Sequence, residues 1–456
     1  MVEDKITHLN GFGIVFIVIM SLSVLFLKKK YALLPLMLTV CFMTYGQAVV
    51  LFNANFTVIR VLIFFYLARI IIKSETKGFV VNNIDKAIFW WAIASIILFT
   101  ISGNSFQAFF NRLGFGYNVF GLYIIFRVMI NNVDDLTTII KAFAIILVPL
   151  SFEMILEFFT GRNVFGILGG VHIENTWTRG GHFRAQGPFR HPILAGVFGA
   201  SIVPLFISLF FNKYCNKLLP IIGILAATTI IFSSASGTPI IFFLCSIIGL
   251  MTWKFRKSMR KIRWLLLLLI ICLGLVMKAP IYYLIPKVTG VLGGTSWHRA
   301  NLMEKAFENI GEWWLVGTKY TAHWMPYAHG VFTDMADITN EYLGQGITGG
   351  LLTLFLFIYI LIICFKGIGK SMKEMEFGDL YYKILIWSIG CVLFAHCVTF
   401  LSVTYFDQTI VIWYFLIATI ANISINTKDF FHQIRRELKD NTFKSLDELG
   451  AELPGN

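Results

Sequence analysis

Long apolar segments separated by short polar connectors run through almost the whole chain. Most of these segments have 17 or more residues, which is long enough to cross a bilayer as a helix. The pattern predicts an all-α polytopic membrane protein. We predict thirteen transmembrane helices, at about 11–27, 31–50, 56–73, 86–102, 114–131, 141–159, 192–211, 218–234, 237–253, 264–278, 343–365, 384–403 and 408–425.

Lysine and arginine are concentrated in alternate connectors. These connectors are 28–30, 73–86, 127–141, 213–217, 254–263, 366–383 and the tail after Lys428. Each follows an odd-numbered span, so the positive-inside rule places them in the cytoplasm and the N-terminus outside. Residues 1–425 then form the bundle, 426–456 form a cytoplasmic tail, and the long loops 160–191 and 279–342 are external.

The composition excludes several classes of protein. Of the 456 residues, 57% are hydrophobic and 14% are charged, against about 25% charged in soluble proteins. The net charge of +13 follows from the basic connectors, so it does not indicate nucleic-acid binding. The seven cysteines lie in or beside apolar segments, which gives no disulfide framework. The basic residues after the first apolar run favour a retained span over a cleaved signal peptide.

The first long loop is arginine-rich, although external loops are expected to be poor in lysine and arginine. Residues 178–192 read TRGGHFRAQGPFRHP and include Arg179, Arg184, Arg190 and His191. Guanidinium groups bind phosphate in a bidentate fork and stay charged. We therefore predict a site for pyrophosphate or a lipid headgroup. The alternative is that the arginines only anchor the loop to anionic headgroups.

The second long loop combines aromatic, acidic and histidine residues. A helical pattern over 297–310 contains His298 and Arg299, and it is followed by Trp313, His329, Asp337, Asn340 and Glu341. Such aromatics either stack on sugar rings or form an interfacial belt. Asp334, Asp337 and Glu341 are candidate general bases. The histidine spacings match no metal signature, so we expect no metal.

Charged residues also occur within the predicted spans. Glu153 and Glu157 share one helix face, and Arg60 and Arg127 lie in other spans. Ionisable groups inside a membrane are functional candidates. These glutamates either line a cavity, pair with Arg60 or Arg127, or relay protons in a transporter.

A short external hairpin, SSASGTP at 233–239, has small residues that allow close helix packing or leave backbone amides free for a phosphate. The order of motifs is then informative: GPFRHPILAGVFGA, this hairpin, WHRANLMEKAFENIGEWWLVG, and DITNEYLGQGITGG entering a span. Over roughly 140–425, this order resembles the O-antigen polymerase and ligase superfamily (the Wzy and WaaL types), and is closer to the polymerases.

The resemblance implies a GT-C-like helical bundle in the bacterial plasma membrane, with its active site on the external or periplasmic side. Such proteins transfer glycan from undecaprenyl pyrophosphate to an acceptor without cofactor, metal or nucleotide sugar. Partners implied are the lipid-linked oligosaccharide, membrane lipids, a flippase and a chain-length regulator. The family's functional arginines correspond here to Arg184 or Arg190 in the first loop and Arg299 in the second.

Two departures separate this chain from the ligases. Ligases carry a histidine before the asparagine of the closing motif, where this chain has Thr339, and an arginine in the hairpin, where it has Gly237 or Thr238. The polymerase spacing of arginine, ten residues and glycine is also inexact, since eleven residues separate Arg299 from Gly311.

We therefore predict a polysaccharide polymerase for O-antigen, capsule or exopolysaccharide. Its substrate is a lipid-linked repeat unit and its acceptor is another. The predicted catalytic residues are Arg184, Arg190, Arg299, Asp337 and His329, and the predicted substrate-binding residues are Arg179, His191, His298, Trp313, Asn340 and Glu341. One alternative is a ligase that transfers glycan to a terminal acceptor. The other is a transporter or flippase of lipid-linked oligosaccharide that uses Glu153 and Glu157 as coupling groups.

Overall fold

The computed structural model describes residues 7–51, 54–278, 280–283, 296–325 and 336–431. This part of the chain is mainly helical, as expected for an all-α membrane protein. The described helices are α1 (Gly11–Phe26), α2 (Leu34–Phe42), α3 (Val58–Ile72), α4 (Asn83–Gly103), α5 (Phe106–Met129), α6 (Val133–Thr160), α7 (Pro192–Leu209), α8 (Leu218–Ser233), α9 (Gly237–Met251), α10 (Met259–Val276), α11 (Ser296–Glu308), α12 (Ile310–Trp313), α13 (Glu341–Glu374), α14 (Leu380–Thr399) and α15 (Thr409–Ile425).

Five described helices, α4, α6, α7, α13 and α14, are long and apolar enough to cross a membrane. Three shorter helices, α1, α8 and α15, are also apolar. Helix α7 lies at the centre and is buried along almost its whole length. It packs against α8, α9 and α14, while α6 packs on α8 and α13 on α4. The outer helices expose leucine, isoleucine and phenylalanine, as helices that face lipid do.

The short strands lie at one end of the bundle. Strand β1 (Thr7–His8) pairs in parallel with β2 (Gln47–Leu51), which pairs in antiparallel with β3 (Ala54–Thr57). Strands β4 (Thr178–Arg179) and β5 (His182–Phe183) form a separate hairpin. Asn10 Nδ2 and the Thr44 hydroxyl donate to the carbonyl oxygens of Leu168 and Gly169. We call this end, which holds residues 160–191, the loop face.

The prediction of a continuous transmembrane helix at 31–50 is wrong. Only the nine residues of α2 are helical there, about 14 Å of helix, and the chain then enters β2. The cause lies at Gly46, which is in backbone contact with Gly170; a Cβ at Gly46 would lie 2.4 Å from the Gly170 Cα. Residues 44–47 therefore form a turn that lies against the first long loop.

Helix α13 is interrupted inside the predicted span 343–365. Gly349 and Gly350 have non-helical backbone angles, and Gly350 has a φ of +69°. The amide of Leu351 instead donates to the Trp314 carbonyl, and the amide of Thr318 donates to the Ile347 carbonyl, both at 2.8 Å. The segment that follows α12 thus satisfies backbone groups that the break releases.

The tail begins as part of the bundle. The Thr427 hydroxyl donates to the Ser371 hydroxyl at 3.1 Å, and the Phe431 ring packs 4.9 Å from the Tyr382 ring. The rest of the predicted cytoplasmic tail, 432–456, lies outside the described residues.

Candidate functional site

A tight hairpin in the first long loop positions two of its arginines. Gly180 and Gly181 join β4 to β5 with φ angles of +59° and +81°. Two successive positive φ angles are what a two-residue type I′ turn requires, and glycine adopts them without steric cost. The hairpin places Arg179 at the end of β4 and Arg184 directly after β5.

Two buried carboxylates hold the end of this loop by its backbone. Glu157 Oε2 accepts from the amides of Gln186 and Gly187, at 3.0 and 2.8 Å. Asp407 Oδ2 accepts from the amide of Arg190 at 3.1 Å. Both carboxylates are fully buried. Amide donors stabilise such a charge, so both groups serve to fix the loop.

Asn175 connects the Glu157 carboxylate to Arg184. Its Nδ2 donates to Glu157 Oε1 at 2.8 Å and to the Arg184 carbonyl at 2.5 Å. Its Oδ1 accepts from the amide of Trp177, whose ring lies 5.6 Å from the Arg184 guanidinium carbon. The placement of Arg184 therefore depends on a side chain with no charge of its own.

Arg184 and Arg299 meet at the 233–239 hairpin. Arg184 Nη2 donates to the Ser236 hydroxyl at 2.9 Å, and Arg299 Nη2 lies 3.5 Å from the Thr238 hydroxyl. The Thr238 hydroxyl also lies 3.3 Å from that of Ser402. A hairpin of small residues thus brings the two long loops together. We refer to Arg179, Arg184 and Arg299 as the arginine cluster.

The members of the arginine cluster affect one another electrostatically. Burial, together with the charges of Arg179 and Arg299, lowers the pKa of Arg184 to about 10. Burial also lowers the pKa of Arg299, with a contribution from Arg179, while the carboxylate of Asp337 opposes the shift. Three like charges at this range repel each other unless an anion lies between them.

No described carboxylate forms an ion pair with the arginine cluster. The Nε atoms of Arg184 and Arg299 are buried and have no hydrogen-bond partner among the described residues. The exposed fraction of Arg299 is only 8%. A buried guanidinium without a counter-charge is costly, so the cluster is suited to bind an anion.

The N-terminus of α9 points at the same place. Ser236 is its N-cap residue, but no side chain caps the helix; the Ser236 hydroxyl donates to the Ser234 carbonyl and accepts from Arg184. The first amides of a helix have no partners within the helix and carry the positive end of its dipole. Together with Arg184 and Arg299, they favour a phosphate-type ligand.

Arg190 and His191 form contacts different from those of the arginine cluster. The Arg190 guanidinium carbon is 5.9 Å from the Tyr45 ring. His191 Nδ1 accepts from the amide of Ile193 and so caps α7. Burial, together with the charges of the arginine cluster, lowers the pKa of His191 to about 3. His191 is therefore neutral near pH 7.

The predicted site residues of the second long loop lie in different environments. His298 Nε2 lies 3.4 Å from the Asp337 carbonyl, and the Asp337 side chain is exposed near Arg299. Glu341 Oε1 accepts from Gln345, and its Oε2 accepts from the Tyr405 amide. His329 and Asp334 lie outside the described residues.

Two residues that are predicted to bind substrate, Trp313 and Asn340, are buried. The Trp313 ring is therefore not free to stack on a sugar; its Nε1 donates to the Ala306 carbonyl, and its ring packs on Gly346. Asn340 is also buried, and its Oδ1 accepts from the Leu343 amide as the N-cap of α13. Among the described residues of this region, the exposed aromatic side chains include Trp297, Phe307, Trp314 and Tyr320.

Pairing with Arg60 or Arg127 is one of three alternatives for Glu153 and Glu157, and the structure gives both arginines other partners. Arg127 pairs with Asp85 at 2.7 Å, and Arg60 donates to Asn118 and to the Asn55 carbonyl. Glu153 Oε1 accepts from the Val164 amide at 3.1 Å. Both glutamates therefore contact the first long loop.

Several contributors could not be recognised from sequence. Asn175, Ser236 and Asp407 have no motif around them that indicates a role, although the small residues of 233–239 drew attention to that hairpin. No group of histidine, cysteine and acidic residues able to hold a metal occurs in the described chain. Comparison with known proteins adds no identification: no protein-family model and no curated protein matches this chain.

Proposed function

We propose that this protein is a polysaccharide polymerase that transfers glycan from an undecaprenyl-pyrophosphate-linked repeat unit to another lipid-linked repeat unit, at the outer face of the bacterial plasma membrane. One observation supports this most strongly. Arg184 and Arg299, from two separate loops, converge on the uncapped N-terminus of α9 without a described carboxylate partner. That arrangement is suited to a pyrophosphate group.

The chemistry requires stabilisation of a leaving group. The acceptor hydroxyl attacks the anomeric carbon of the donor, the bond from that carbon to the pyrophosphate oxygen breaks, and the hydroxyl proton passes to a base. Negative charge accumulates on the departing pyrophosphate, where fixed guanidinium groups and helix amides stabilise it. Asp337 is our candidate base, because it is exposed beside Arg299; His329 remains a second predicted candidate.

The position of the site suits a lipid-linked donor. Helix α9, with Ser236 as its N-cap and Gly237 as its first residue, begins next to the arginine cluster. It exposes Leu244, Ile248 and Met251 along one side. These residues are spaced by four and three positions, so they form one apolar stripe. A polyprenyl chain can lie along this stripe while its pyrophosphate remains at the arginine cluster.

The contacts of the buried glutamates weigh against the transporter alternative. A coupling group in a transporter must exchange protons or ions during the cycle. Glu157 instead accepts two backbone amides and the Asn175 side chain. This is the environment expected of a fixed structural carboxylate.

The test is an assay with purified protein and undecaprenyl-pyrophosphate-linked repeat units, without nucleotide sugar or added metal. A product ladder spaced by one repeat unit is the expected result. Transfer that occurs only after a terminal lipid or protein acceptor is added would replace the proposal with a ligase. Failure with every acceptor, together with flux of lipid-linked units across vesicle membranes, would replace it with a transporter.

A further inference from the structure

Helix α10 stands apart from the rest of the bundle. It has 18 residues and none of them is buried, which corresponds to about 27 Å of exposed helix. From Trp264 to Val276 the helix is apolar on every side. Such a surface requires an apolar environment, and a bilayer provides one. Helix α9 leads away from the loop face and α10 leads back, since Tyr283, shortly after α10, donates to Glu304 of α11.

The connection between α9 and α10 is strongly basic and lies at the end opposite the loop face. Residues 254–263, which we call the basic segment, read KFRKSMRKIR and contain no acidic residue. The six cations are Lys254, Arg256, Lys257, Arg260, Lys261 and Arg263. Positive-inside topology requires only a modest excess of lysine and arginine at this position. Six cations in ten residues provide a concentrated positive surface.

Some of these charges have protein partners and others do not. Lys257 pairs with Glu376 at 2.7 Å, and the Arg256 guanidinium stacks 4.2 Å from the Trp253 ring. Lys254, Arg260 and Lys261 are exposed, and the described part of the chain offers them no hydrogen-bond or ion-pair partner. These three side chains are therefore available to an external anionic surface.

One exposed aromatic residue lies within the basic segment and another directly follows it. The exposed fractions are 60% for Phe255 and 64% for Trp264. Trp264 marks the point where the basic residues end and the apolar part of α10 begins. Aromatic rings are enriched at the headgroup level of bilayers, so the lipid-covered helix fixes the basic segment at that level.

We propose that the basic segment binds the headgroups of anionic phospholipids in the leaflet opposite the loop face. Charge complementarity selects the headgroup, and the attached apolar helix holds the cations within reach of it. The interaction does not depend on the proposed polymerase activity, because it lies at the other end of the bundle from the arginine cluster.

The experiment measures lipid selectivity without any enzymatic readout. Purified full-length protein is equilibrated with equal amounts of phosphatidylglycerol and phosphatidylcholine, and the lipids it retains are counted by native mass spectrometry. We expect the wild-type protein to retain phosphatidylglycerol several-fold over phosphatidylcholine, with a preference that falls as salt is raised. The K254Q/R260Q/K261Q variant should lose at least half of that preference.

The matched control removes the same charge from the same end of the bundle. K366Q/K370Q/K373Q alters lysines of α13, one of which already lies 3.6 Å from Glu374, and it should keep the wild-type preference. Equal loss in both variants, or no preference in the wild-type protein, would overturn the proposal. Lipid-independent self-association or capture of an acidic protein by the basic segment would also overturn it. If the first variant does not fold, the wild-type salt dependence remains a test.

Discussion

Arg184 and Arg299 belong to different long loops, yet their guanidinium groups contact Ser236 and Thr238, two residues apart on one hairpin. A hydroxyl can accept a hydrogen bond without neutralising the donor's charge. The hairpin therefore positions both cations and leaves their positive charge available to a ligand.

Replacement of Arg299 by alanine should greatly reduce polymer formation. Loss of a fixed cation that stabilises a leaving group is expected to lower turnover by about 100- to 1,000-fold. The readout is the product ladder from purified protein with lipid-linked repeat units. Arg162→Ala is the control, because Arg162 is an exposed arginine of the first long loop that does not belong to the arginine cluster; it should leave the ladder unchanged. Equal loss in both variants would remove the special role of Arg299.

Asn175 should control the placement of Arg184. Asn175→Ala removes hydrogen bonds to Glu157 and to the Arg184 carbonyl, and it should cost about 1–3 kcal/mol in the free energy of unfolding and raise KM for the donor. Asn175→Asp should have larger effects on both quantities than Asn175→Ala, because it places a second carboxylate next to that of Glu157. Melting curves and donor titrations measure both effects. The opposite ranking of the two variants would contradict the network.

Glu153 should be dispensable for the delivery of repeat units. Glu153→Gln keeps an oxygen that accepts from the Val164 amide. It replaces the ionisable carboxyl group, whose Oε2 has no hydrogen-bond partner among the described residues. We expect polymerisation close to wild type, and normal appearance of lipid-linked units at the outer face. Labelling of those units in intact cells is the measurement. Loss of delivery with this single change would favour the transporter.

His191 should destabilise the folded protein in acid. Its pKa is lowered to about 3 from an ordinary value near 6.5, so the unfolded chain binds its proton first. The contribution of neutral His191 is therefore complete above pH 6.5 and is lost as pH falls toward 3. His191→Asn preserves a helix-capping side chain without a titratable group. The melting temperature of wild type should fall relative to this variant on acidification, and a constant difference would disprove the assignment.

The break in α13 should be intolerant of a side chain. A Cβ at Gly350 would lie 2.3 Å from the Leu315 carbonyl oxygen, and the φ angle of Gly350 is +69°. Gly350→Ala should lower the free energy of unfolding by more than about 2 kcal/mol. Gly369 of the same helix has open space around it, so Gly369→Ala should be neutral or stabilising by up to about 1 kcal/mol. Thermal melting of the two variants separates these outcomes.

Much of the helical layout could be predicted from the sequence, because apolar runs and basic connectors directly reflect membrane solvation and topology. The start of α7 at Pro192 and that of α9 at Gly237 agree with the predicted spans. The segment 31–50 could not be predicted correctly, since its helix ends at Phe42 and the chain then turns at Gly46, which meets Gly170, a contact between distant parts of the chain.

The arginines of the site could be predicted as candidates, because their residue type is unusual in an external loop. Their division into Arg184 and Arg299 on one side, and Arg190 at Tyr45 and Asp407 on another, could not. That division depends on which backbone amides Glu157 and Asp407 hold. Composition cannot separate exposed Trp314 from buried Trp313 either, since Trp313 is the last residue of α12 and Trp314 follows it directly, and only tertiary packing decides which ring is buried.

The use of Glu157 and Asp407 as backbone acceptors has a consequence for turnover. Because these acids bind amides, the arginine cluster keeps its full attraction for anions throughout the reaction. In the proposed polymerase reaction, the released undecaprenyl pyrophosphate has one more ionisable oxygen than the donor, so the cluster should hold this product more tightly than the substrate. The proposed polymerase would then be slowed by its own lipid product, and the rate of polysaccharide synthesis would depend on how quickly the cell removes that product.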